Sequence, residues 1–280
     1  MSERRSPTST LLVVLLGLAV LGALAGFALL DRVGGDEAGS GTSEGGLPDG
    51  FEQLPEDVFF ERVYGAQRSA GSWALHQEDE RGGQPIGALD AETELTGDGT
   101  DSSNQVSQCC TQDNELVRFE IRVVDGVYYT KGFPSEKPWW KVDPEAGAKQ
   151  LGIAQSMDPY ISQTTDAEDL QSATESITLV GPDSVDGVET VHYRAALSPT
   201  PPEGSGAQPL PEGAEATIDF WVDGDNRPVQ VILTLEAGKE KVVKTSRYSR
   251  YGEDFDIAVP PAGQTTTKTP QAEVPQGQGG

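Results

Sequence analysis

Two histidines, one pair of adjacent cysteines and one acidic turn are the residues here whose types could do chemistry. His76 and His192 are the only histidines in 280 residues. They lie far apart, and no Gly-x-Ser-x-Gly elbow, Ser-x-x-Lys, Walker loop or His-Glu-x-x-His accompanies them. The alternation around His192 predicts a solvated place on the polar face of a strand. Asp and Glu together number 45, so a carboxylate pair for acid–base work is uninformative. The expectation is a protein that is not an enzyme and uses no cofactor or metal.

Cys109-Cys110 is the oddest local feature. Outside the cytoplasm paired cysteines oxidise, but adjacent ones close only a strained eight-membered ring. A vicinal disulfide stiffening a turn, two free thiols and bonds to another chain all stay open. A metal reading lacks further ligands nearby. Asp223-Gly224-Asp225-Asn226 has the opening of a Ca²⁺ loop, but Arg227-Pro228 follow and the twelfth position is not Glu. A hairpin turn explains the same residues. Trp139-Trp140, beside Pro138, fits a short buried strand, with a lipid-facing lip or a membrane-interface anchor as the alternative.

The elements that position these residues begin with a membrane segment. Leu11 to Leu30 are apolar throughout, and as a helix they span roughly 30 Å, the thickness of a bilayer core. Arg4 and Arg5 precede them, which keeps residues 1–10 cytoplasmic and sends the rest outside. A cleavable signal ending at Ala23-Leu24-Ala25 is the competing reading, but the apolar run continues past it and favours an anchor. Residues 31–53 read as a flexible spacer and residues 263–280 as a disordered tail. One domain is expected over residues 54–262. The net charge of −25 excludes nucleic acid and anionic lipid headgroups as surface partners.

Within the domain, Pro55-Glu56-Asp57 and the apolar residues after them predict a first amphipathic helix. Further helices are expected over 144–157 and 166–176. Most other segments alternate like strands. Val117, Phe119, Ile121 and Val123 share one face, and Asp125-Gly126 turns the chain into Val127–Thr130. Residues 191–197, 218–222, 229–235 and 241–251 alternate in the same way. Ser198–Gly213, rich in Pro and Gly, reads as a long exposed loop. Successive hairpins imply an antiparallel sheet with one apolar face, which few helices are available to cover.

Four segments carry a resemblance. Val127-Tyr128-Tyr129 before Trp139-Trp140-Lys141-Val142-Asp143-Pro144 is similar to a segment of LppX/LprG-type exported proteins of actinobacteria. So are Val185–Tyr193, Phe220–Val229 and Tyr248–Pro260. The resemblance covers residues 54–262. It implies an α+β, LolA-like fold: a strongly curved, unclosed antiparallel half-barrel wrapped around two or three helices, here preceded by one N-terminal transmembrane helix. It also implies an apolar cavity that takes a lipid or acylated ligand. Those proteins carry an acylated Cys, whereas this chain uses an apolar segment. The expected lining is Phe119, Ile121, Val191, Tyr193, Ile218, Phe220, Val231 and Leu233. The expected function is tethered binding of an apolar ligand in the cell envelope, with carriage of that ligand as its extension. The same resemblance extends to envelope-stress regulators, so a sensor binding an envelope protein partner without cargo is the alternative.

Overall fold

The computed structural model describes residues 47–95, 101–112, 115–132, 135–142, 167–200, 210 and 212–268. The apolar stretch 11–30 and the helix expected over 144–157 lie outside these. Among the described residues, no helix is long and apolar enough to cross a membrane.

Twelve strands form one unclosed, curved sheet. In chain order they are β1 (Ser72–Arg81), β2 (Gln84–Leu95), β3 (Asp101–Gln112), β4 (Glu115–Val124), β5 (Val127–Lys131), β6 (Trp139–Lys141), β7 (Thr174–Val185), β8 (Val188–Leu197), β9 (Ala214–Val222), β10 (Pro228–Ala237), β11 (Glu240–Ser249) and β12 (Thr265–Thr266). Across the sheet the order is β12-β6-β5-β4-β3-β2-β1-β11-β10-β9-β8-β7. Every pairing is antiparallel except β12 with β6, so the sheet is mixed rather than purely antiparallel as expected. The chain's C-terminal segment supplies that parallel strand, a non-local pairing that leaves no alternation in the sequence.

Hairpins make the order nearly sequential, because short turns favour neighbouring strands. Asp125-Gly126 and Asp186-Gly187 both hold two successive positive φ angles, as a two-residue hairpin loop requires. The connection from β8 to β9 occupies residues 198–213, where the Pro- and Gly-rich insert was expected. β7 meets β8 with two register shifts, at Thr174/Ser176 and at Leu179/Gly181.

Two helices are described. A 3-10 turn (Glu56–Val58) leads into α1 (Phe59–Ser69), whose buried residues are Phe59, Phe60, Val63 and Gln67. That spacing puts one stripe against the sheet. Helix α2 (Ala167–Ser172) is shorter than the expected 166–176, because Thr174 already opens β7. The packed region also outruns its expected limits. Leu47 and Phe51, read as spacer, pack against the main core cluster, and Thr265–Thr266, read as tail, form β12.

Candidate functional site

The inner face of the sheet divides into two parts. The β8–β10 half is filled by α1. Phe59 and Phe60, both 0% exposed, stand on Val191, Tyr193, Ala195, Ile218, Phe220 and Val222. The Phe59 ring lies 5.0 Å from Tyr193 and 5.3 Å from Phe220, and Phe60 lies 5.6 Å from Phe220. The Tyr193 hydroxyl accepts a hydrogen bond from the Leu54 N–H at 3.0 Å, pinning the chain as it enters the helix. Burial raises the Tyr193 pKa.

Six of the eight expected lining residues fall in this half. Val191, Tyr193, Ile218 and Phe220 belong to the cluster itself, and Val231 and Leu233 pack against it. The structure therefore places them where α1 meets the sheet. Ile121 lies elsewhere, on β4. Phe119 is on the same strand, paired with Ser107, and its side chain is outside the described residues.

The second half runs from β1 to β6. Directly paired residues share a face, so register traces one row across the sheet. Leu75 pairs with Tyr248 on one side and Ala91 on the other. Ala91 pairs with Gln105, Gln105 with Ile121, Ile121 with Thr130, and Thr130 with Trp140. Leu75, Leu89 and Ala91 form a separate core cluster with Tyr248 packed on it, and among the described residues none of α1 or α2 belongs to it. Burial pushes the Tyr248 pKa up to about 12.

A polar strip separates these halves on β1 and β11. Gln77 pairs with Ser246 and Asp79 with Lys244, all four buried. The Gln77 amide donates to Asp79 at 3.1 Å, and the Ser246 hydroxyl donates to Gln77 at 3.4 Å. Burial lowers the Lys244 pKa to about 8, with the Asp79 charge opposing that shift. Burial raises the Asp79 pKa, against the Lys244 charge and the Gln77 hydrogen bond. Sequence alternation missed this strip because polar residues occupy inward positions.

The residues singled out for chemistry lie mostly on the outer face. His192 is there as expected, but it is not a solvated surface residue. It is 9% exposed, stacks on Trp221 at 4.2 Å, and bonds Asp219 at 2.6 Å. Asp219 also accepts from Arg194 Nε at 2.8 Å, so its charge is matched there. Trp221 donates to Asp183 at 2.8 Å, and that bond leads the causes lowering the Asp183 pKa. His76 bonds Asp90 at 2.7 Å. Four strand spacings, roughly 19 Å, separate β1 from β8, so the two histidines do not converge on one atom.

Asp223 builds a hairpin turn. Its Oδ1 accepts from the Asp225 and Arg227 N–H groups at 3.0 and 2.9 Å, and its Oδ2 accepts from Arg227 Nε at 2.9 Å. These oxygens are committed to protein donors, which favours the hairpin over the Ca²⁺ reading. Asp223→Ala is expected to cost about 2 kcal/mol, since it strips acceptors from a part-buried turn. Urea unfolding of the variant checks this. Among the described residues no group of three or more His, Cys, Asp or Glu could hold a metal ion.

Trp139 and Trp140 are both buried, as the strand reading had it. Trp139 lies beneath Arg122 at 4.9 Å and Lys131 at 5.5 Å, two cations on one ring. Cys109 and Cys110 sit in β3 beside a register shift at Cys109/Thr111, rather than in a turn. Their side chains, and with them the candidate disulfide, lie outside the described residues.

No protein-family model and no curated protein matches this chain. Its fold is similar to that of LprF from Mycobacterium bovis, at 15% identity over 73% of this chain and 96% of that one, TM-score 0.45. It is also similar to the Mycobacterium tuberculosis lipoprotein LppX, at 14% identity over 72% and 98%, TM-score 0.44. A chain of the Pseudomonas aeruginosa MucA/MucB complex is similar at 18% identity over 73% and 61%, TM-score 0.43.

Proposed function

We propose that this chain is a membrane-tethered, extracytoplasmic protein that buries an apolar ligand, a lipid or acylated molecule, on the β1–β6 half of its inner face. The observation that carries the reading is the division of that face. Phe59 and Phe60 complete the β8–β10 half, whereas among the described residues the Leu75, Leu89 and Ala91 cluster contains no helix residue. An acyl chain entering such a surface gains about 0.8 kcal/mol per buried CH₂, so no bond chemistry is required. Leu11–Leu30 supplies the tether to the cytoplasmic membrane, and the spacer after it sets the reach.

The test is native mass spectrometry of the full chain, extracted from its own host in nonionic detergent, followed by organic extraction. One co-purifying lipid per chain is the expected result. Ligand-free protein that also fails to bind a fluorescent fatty acid overturns the reading and turns attention to a protein partner.

A further inference from the structure

Toward β12, the row that crosses the sheet reaches two polar side chains with no hydrogen-bond partner among the described residues. Trp140 is 1% exposed and Thr130 is 3% exposed. Among the described residues neither Trp140 Nε1 nor Thr130 Oγ1 has a hydrogen-bond partner. The two residues are directly opposite each other on β6 and β5, which sets their Cβ atoms roughly 5 Å apart on one face. Ile121 follows on the same row. Buried donors and hydroxyls are almost always satisfied, so two orphans side by side on one apolar face need a reason.

The neighbouring hydroxyl sharpens the contrast. Thr266 pairs with Trp140 from the other side and is also buried, but its Oγ1 already accepts the Lys268 N–H at 3.1 Å. The orphaned pair is therefore local to Thr130 and Trp140, not general to this edge of the sheet. An indole N–H only donates, and a threonine hydroxyl donates or accepts. Two neutral donors side by side match the two lone pairs of one carbonyl oxygen. They match a carboxylate poorly, because burying that charge without a cation is costly.

Resting on the apolar-ligand reading above, we propose that the Trp140 N–H and the Thr130 hydroxyl anchor the carbonyl oxygen of a carboxylic ester in the ligand. The anchor fixes how far an acyl chain slides along the inner face and selects esterified chains over plain hydrocarbon.

The test uses the full chain in nonionic detergent and a pyrene-labelled fatty-acid ester as the bound probe. Methyl hexadecanoate and octadecane, matched in the number of chain atoms, compete for it, as does the hexadecanoate anion. The ester is expected to displace the probe at about one-tenth the concentration that octadecane needs, as two neutral hydrogen bonds supply. Thr130→Val and Trp140→Phe are each expected to weaken the ester severalfold and leave octadecane unchanged. Thr130→Ser is expected to restore ester preference, which guards against a mere folding defect. Equal displacement by ester and octadecane, or variants that weaken both alike, overturns the anchor and leaves the apolar reading standing. A hexadecanoate anion that outcompetes the ester overturns the assignment to a neutral ester. A probe that does not bind at all overturns both.

Discussion

The double variant Asp79→Asn, Lys244→Met is expected to stabilise the domain by about 1–4 kcal/mol, read from urea unfolding at pH 7. Lys244 is 5% exposed and directly opposite Asp79 on β1. Burial outweighs their mutual attraction in the pKa shifts of both groups. The double variant removes both desolvated charges, and the Asn oxygen still accepts from the Gln77 amide, as Asp79 now does at 3.1 Å. A double variant less stable than the parent would show that Lys244 acts through packing of its stem rather than charge.

The same pair gives a pH signature. The Lys244 pKa falls from 10.5 to about 8 on folding. Between about pH 8 and 10.5 the unfolded chain therefore holds more protons than the folded one, and stability rises with pH across that window. Lys244→Met should abolish the rise. Asp79 runs the other way. Its folded pKa is raised, so between 3.8 and that higher value the folded chain binds more protons, and its contribution grows as pH falls.

Phe59→Ala is expected to cost about 3–5 kcal/mol, since it empties a fully buried site at the centre of the main core. The ring meets Phe60, Tyr193 and Phe220 edge-on or tilted, and each such pair adds about 0.5–1.5 kcal/mol beyond area burial. Phe59→Leu, which keeps most of the volume, should cost only about 1 kcal/mol. Thermal and urea unfolding of the two variants separate loss of volume from loss of ring geometry. A small effect of Phe59→Ala would mean that the inner face repacks readily without the ring.

The strands that alternate cleanly were legible in the sequence, and for a physical reason. From Val188 to Ala237 the inward positions of β8, β9 and β10 are apolar, and the β9–β10 turn carries the Asp223-Gly224-Asp225-Asn226 signal. β1, β2 and β3 were not legible. β1 turns Gln77 and Asp79 inward, β2 spends inward positions on Gly87, Ala91 and Thr93, and β3 is almost wholly polar. Their neighbours, not their own pattern, hold them in the sheet. The same limit applied to the site. Alternation identified inward-facing residues but not which of them α1 would fill, so most expected lining positions became core. Trp140 was read as buried, yet nothing in sequence marks a buried indole left without an acceptor.

A sheet that never closes has two open margins, and such margins recruit further chains by backbone pairing. Here both are blunted. One ends in β12, only two residues long. The other ends in β7, whose pairing with β8 slips twice and whose backbone turns through φ 139° at Gly181. A short strip and a crooked one are poor templates for another strand. Freedom from fibril-like stacking is thereby built into the rims of the sheet, with no closing seam needed to secure it.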